Sequence, residues 1–79
     1  MLTNNGPMDA GSIIGINVRK LRNSKKLSQE ELAFEAGIDR SYLSEIENGY
    51  KNLSVGILEQ IAAALDVDAA VLLKLPAKK

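Results

Sequence analysis

Apolar residues recur along this chain with a helical period, and no segment shows the alternation of a strand. Ile14, Val18 and Leu21 fall at i, i+4 and i+7 and form one stripe. The spacing predicts a first helix with Ser12 as N-cap, running to about Lys25 or Lys26, whose charges suit a helix C-terminus. Residues 1 to 11, with glycine, proline and asparagine and little apolar periodicity, are expected to be a flexible leader. Ser28-Gln29-Glu30-Glu31 fits a capping box at the start of a second helix, with Leu32, Ala33 and Ala36 inward. Gly37 ends it by taking the left-handed conformation. Asp39 opens a third helix, with Ile38 stapling onto Leu43, Leu43 and Ile46 inward, and Asn48-Gly49 at its end. After the loop Tyr50-Lys51-Asn52-Leu53, Ser54 caps a fourth helix with Val55, Leu58, Ile61, Ala62 and Leu65 as its inward stripe. Asp68 opens a short fifth helix through about Lys74, and residues 76 to 79 form a tail.

Five helices and no strand make an all-α domain over residues 12–75, a single unit for 79 residues. A core of this size is small. The last segment, with Val67, Val71, Leu72 and Leu75, is more apolar than an exposed terminal helix needs to be. Its excess points to an interface through these four residues.

Composition narrows the chemistry. The chain has no cysteine and no histidine. Disulfides, thiolate metal sites, histidine-based triads and zinc hydrolases are therefore excluded, and no enzyme activity, cofactor or metal is expected. Phe34, Tyr42 and Tyr50 are its aromatic residues, too few for a base-stacking surface on single strands. No apolar run reaches the roughly 18 residues of a membrane span, and no signal peptide is indicated, so a cytoplasmic protein without membrane contact is expected. Ten basic residues balance ten acidic ones. The positive charge is concentrated in Arg19, Lys20, Arg22, Lys25 and Lys26, ahead of a solvated acidic face of Glu30, Glu31 and Glu35. A neutral total predicts weak nonspecific affinity for a polyanion, and local patches decide the contacts.

Residues 29 to 48 carry the strongest signal. Two helical runs flank a tight bend at Ala36-Gly37-Ile38, with small Ala33 available where the helices touch. Leu43 and Ile46 pin the second run to the domain. Arg40, Ser41, Ser44, Glu45 and Asn48 then lie at i, i+1, i+4, i+5 and i+8 on one exposed strip that fits a DNA groove.

The stretch from about Ser12 to Leu73 resembles the Cro and phage-repressor helix-turn-helix proteins, the Xre family. The resemblance rests on Leu27-Ser28-Gln29-Glu30-Glu31-Leu32-Ala33, Ala36-Gly37-Ile38, Leu43-Ser44-Glu45-Ile46-Glu47-Asn48-Gly49 and Leu65-Asp66-Val67. The Asp39-Arg40-Ser41-Tyr42-Leu43-Ser44 run and the Tyr50-Lys51-Asn52-Leu53-Ser54 loop look more specifically like the controller proteins of restriction-modification systems.

That resemblance implies a compact five-helix bundle of the phage-repressor type and a homodimer on near-palindromic double-stranded DNA. It implies base reading by Arg40, Ser41, Tyr42, Ser44 and Glu45, and phosphate contact by Ser28, Gln29, Asn48, Lys51 and Asn52. Arg22 and Glu47 match an internal salt bridge of phage repressors. The fourth and fifth helices would hold the two-fold interface. A chain of this size leaves no room for an effector module, so control is expected through concentration, dimerisation and cooperative occupancy, with RNA polymerase a partner when the site lies beside a promoter. Two alternatives stay open: another small regulator of the same type, such as an antitoxin or phage repressor, and a protein-interaction module that has lost DNA binding.

Overall fold

The computed structural model describes residues 9–49 and 53–75. They form four α-helices and a closing 3-10 turn: α1 Ala10–Ser24, α2 Gln29–Ala36, α3 Arg40–Glu47, α4 Val55–Ala64 and the turn Ala69–Leu73. No strand occurs among the described residues, as the helical period predicts, and no helix is long and apolar enough to cross a membrane.

The expected fifth α-helix is instead this single 3-10 turn. Asp68 precedes it without a side-chain cap bond, and the Val71 N–H donates to the Asp68 carbonyl at 2.9 Å. Five residues offer too few α-helical bonds to repay nucleation, and the tighter i to i+3 pattern satisfies a short segment.

The first helix begins earlier than expected. Asp9, not Ser12, is its N-cap: the Asp9 Oδ1 accepts the Ser12 N–H at 2.8 Å. That bond holds the Asp9 carboxyl below its ordinary value. Ser12 becomes the third helical residue, and Ala10 and Gly11, expected in the leader, belong to α1. The rest of the leader and the tail, residues 1–8 and 76–79, lie outside the described residues.

The other starts follow the sequence. Ser28 and Glu31 close the capping box in both directions, at 3.0 and 2.8 Å, and Ser54 Oγ accepts the Ile57 N–H at 3.1 Å. Asp39 is the N-cap of α3 by position only, since its side chain makes no cap bond.

The core draws on every element: Ile14 and Val18 of α1, Leu32, Ala33 and Ala36 of α2, Leu43 and Ile46 of α3, Leu58, Ile61 and Ala62 of α4 with Leu65 after it, and Leu72. Two expectations fail here. Val55, placed in the inward stripe of α4, is 70% exposed, because as the first helical residue it lies beyond the end of the core. Leu72, expected at the interface, is 0% exposed. In a 3-10 turn, residues three apart eclipse, so Leu72 shares the inward side with Ala69, which also packs on the core. Of the other interface residues, Val67 and Val71 are half-buried, whereas Leu75 is 72% exposed. Leu73, part of the same apolar run, is exposed as well.

Asn17 ties this C-terminal segment to α1. Its Nδ2 donates to the carbonyls of Leu72 and Lys74, each at 2.8 Å. The 3-10 turn is thus held from both sides, by the Leu72 side chain in the core and by α1 at its carbonyl end.

Candidate nucleic-acid interface

The bend between α2 and α3 is fixed by backbone chemistry. Gly37 has φ +74°, the left-handed region where a Cβ would be strained. Its N–H donates to the Phe34 carbonyl at 3.2 Å, and the Ile38 N–H donates to the Ala33 carbonyl at 3.0 Å. These bonds satisfy carbonyls that the helix end leaves over. A third is met from α4, where Gln60 Nε2 donates to the Ala36 carbonyl at 2.8 Å. Buried Ala33 adds little side-chain bulk to α2, which packs against both α3 and α4.

This frame sorts the faces of α3. Leu43, Ile46 and Glu47 are buried. Arg40, Ser41 and Glu45 are exposed, Ser44 is half-buried, and Asn48, the C-cap of the helix, is exposed. The strip predicted from spacing is therefore a real surface. Tyr42 differs from its neighbours: it is half-buried and packs against the core. Lys51 and Asn52, two of the five predicted phosphate contacts, lie outside the described residues, as does Tyr50.

Behind the strip sits a buried carboxylate. Glu47 of α3 has a side chain with 0% exposure and receives donors from two other helices. Arg22 binds it through Nε to Oε2 at 2.7 Å and Nη2 to Oε1 at 3.0 Å. Arg22 Nη1 also donates to the Leu27 carbonyl at 2.9 Å, joining α1 to the entry of α2. Gln29 Nε2 donates to Glu47 Oε1 at 3.1 Å, and Arg19 Nε lies 3.5 Å from the same oxygen. Burial by itself would push the Glu47 carboxyl up. Hydrogen bonds from Arg22, Gln29 and Arg19 outweigh it and hold the group below its ordinary value. The same bond raises Arg22, against the cost of its own burial.

Gln29 links this cluster to the exposed strip. With its Nε2 given to Glu47, its Oε1 accepts from Arg40 Nη1 at 3.2 Å. Gln29 and Arg40, predicted separately as phosphate and base contacts, thus form one unit across the two helices. Ser28 is engaged in the capping box, its Oγ accepting the Glu31 N–H.

The Arg22–Glu47 pair was legible in the sequence. Arg19, Gly15 and Gln60 were not. Arg19 stands three residues before Arg22, so both project from one helical face toward the same acceptor. Gly15 interrupts an apolar helical run, a position where glycine costs about 1 kcal/mol against alanine and so points to close packing.

A bent pair of helices whose second member shows one polar face to solvent, braced from behind, defines a helix-turn-helix DNA-binding domain. The helix-turn-helix family model matches residues 18–72, and the chain belongs to that family. It is similar to the control protein C.BamHI of Bacillus amyloliquefaciens, with 45% identity over 62 residues, covering 77% of this chain and 76% of that protein. The crystal structure of the restriction-modification controller protein C.AhdI from Aeromonas hydrophila matches with a TM-score of 0.76 and 42% identity, over 78% of this chain and 94% of that one. SinR, described as a master regulator for biofilm formation and crystallised in complex with DNA, matches with a TM-score of 0.74 and 42% identity, over 77% of this chain and 98% of its own.

Proposed function

We propose that the chain is a controller protein of a restriction-modification system, a sequence-specific transcriptional regulator that binds near-palindromic operators as a homodimer. The observation that carries this reading is the strip of exposed Arg40, Ser41 and Glu45 with half-buried Ser44, on a helix locked to the domain through Glu47. Similarity to two controller proteins supports the finer assignment. Arg40 at the first turn of α3 reads a guanine through its guanidinium fork, steadied by Gln29. Ser41 and Ser44 permit close approach, Glu45 accepts from a cytosine amine, and the edge of Tyr42 completes the reading face.

Ser28, Gln29 and Asn48, with Lys51 and Asn52 of the following loop, set the register on phosphates. The two-fold interface draws on Leu75 and Leu73 with the half-buried Val67 and Val71. RNA polymerase is a partner where the operator adjoins a promoter. Similarity to SinR favours a second reading, a regulator of the same type serving other genes; a nuclease gene beside this one separates the two.

Selection of bound sites from random duplex DNA tests the proposal. A near-palindrome with half-sites about 34 Å apart is expected. Absence of enrichment would overturn the DNA reading and favour a protein-interaction module.

A further inference from the structure

Helix α1 directs two arginines at Glu47, and one carboxylate can neutralise one of them. Arg22 takes that role: it binds both oxygens, and its side chain is 13% exposed. Arg19 reaches Oε1 with Nε at 3.5 Å, and that oxygen already accepts from Arg22 and Gln29 at 3.0 and 3.1 Å. Its Nη2 donates to Asn48 Oδ1 at 3.3 Å, and its side chain is 50% exposed. Both contacts are long for charge-assisted bonds. Two guanidiniums about one carboxylate leave a unit of positive charge, and the half-exposed member carries it to the surface. It lies at the end of α3, against Asn48. Of the five N–H donors of a guanidinium, the two contacts use one on Nε and one on Nη2.

We infer that Arg19 is a phosphate-contacting residue: α1 joins the end of α3 in gripping the sugar-phosphate backbone of duplex DNA, and Glu47 with Asn48 aims the guanidinium. This rests on the DNA reading above. A phosphate presents two non-bridging oxygens to the guanidinium N–H groups that Glu47 and Asn48 leave over, so the two long contacts orient the fork while the phosphate takes the short ones. Arg19 then adds affinity on every sequence and reads no base.

A purely structural Arg19 would brace the end of α3 and affect stability alone. The salt dependence of binding separates the roles, measured on a mixed-sequence duplex spanning two major grooves, for the wild type, Arg19→Gln and Arg19→Lys. Arg19→Gln is expected to flatten the slope of log K against log salt by about one unit, and Arg19→Lys to keep it. An unchanged slope in Arg19→Gln, whatever its melting temperature, overturns the inference and leaves the DNA reading standing. Failure of the wild type to bind any duplex overturns both.

Discussion

Gly15 of α1 lies against the end of α3 so closely that a Cβ there would stand 2.5 Å from the Ile46 carbonyl oxygen and 2.8 Å from that of Glu47. Backbone meets backbone at this crossing, and neither side can retreat into a flexible side chain. The approach also brings Arg19 and Arg22, one and two turns further along α1, within reach of Glu47.

Replacing Gly15 with alanine therefore trades a gain in helix propensity of about 1 kcal/mol against overpacking of about 1 to 3 kcal/mol. A net loss of stability is expected in urea titration. DNA affinity should fall further than stability alone accounts for, because the displaced element is α3 itself. A variant as stable as the wild type would show that the helices slide apart freely.

Glu47→Gln removes the charge that two arginines share and leaves Arg22, largely buried, without its counter-ion. A loss of roughly 3 kcal/mol is expected. The pH dependence follows from the direction of the shift. The Glu47 carboxyl is held below its ordinary 4.5 in the folded state, so its stabilisation is fully present above that value. It is lost as pH falls through the lowered folded-state value. Acid unfolding curves of wild type and Glu47→Gln should converge in that range, and parallel curves would contradict the role assigned to the carboxylate.

Arg40→Ala should cost about 1 to 3 kcal/mol on the selected operator and relax preference at one base pair per half-site. Binding to scrambled duplex should change little. Gln29→Ala is expected to weaken operator and scrambled duplex alike through the lost phosphate contact, with an added, milder relaxation at the Arg40 base pair, since Gln29 holds Arg40 through its Oε1. Uniform loss over all sequences for Arg40→Ala would reassign it to the phosphates.

The C-terminal leucines should separate cleanly. Leu72→Ala removes a core side chain and should destabilise by about 2 to 5 kcal/mol. Leu75→Lys places charge on an exposed residue, so circular dichroism should show retained helix content while sedimentation shows monomer. An intact dimer in Leu75→Lys would move the interface elsewhere.

Asp66 holds φ +61° after α4, where the Val67 N–H bonds the Ala62 carbonyl at 3.0 Å. Left-handed backbone costs an L-residue about 1 to 2 kcal/mol, and glycine avoids this at an entropic cost of about 0.5 to 1 kcal/mol. Asp66→Gly should raise the thermal midpoint slightly without touching DNA affinity.

What the sequence disclosed was local. The Ser28–Glu31 box, the left-handed Gly37 and the inward Leu43 and Ile46 depend on neighbours within four residues, and all were readable. The start of α1 is ambiguous in sequence because Asp9 and Ser12 are both capping residue types three positions apart, and Ala10 and Gly11 between them carry no apolar period. The burial of Leu72 is not readable locally, because a run of adjacent apolar residues does not reveal its own inward side until its period, three rather than 3.6, is known. Asn17 with Leu72, Gln60 with Ala36 and Gly15 with Ile46 join distant parts of the chain. They depend on how the helices cross, which no local pattern encodes. The exposed strip of α3 was legible as a surface, whereas its coupling through Gln29 to the buried carboxylate was not.

Convergence of Arg22, Gln29 and Arg19 on Glu47 has a thermodynamic consequence for association. Three helices are fastened at one buried point before any ligand arrives, so docking orders little within α1, α2 and α3. These three helices should then add no coupled-folding excess to the heat-capacity change on binding beyond what their contact area gives.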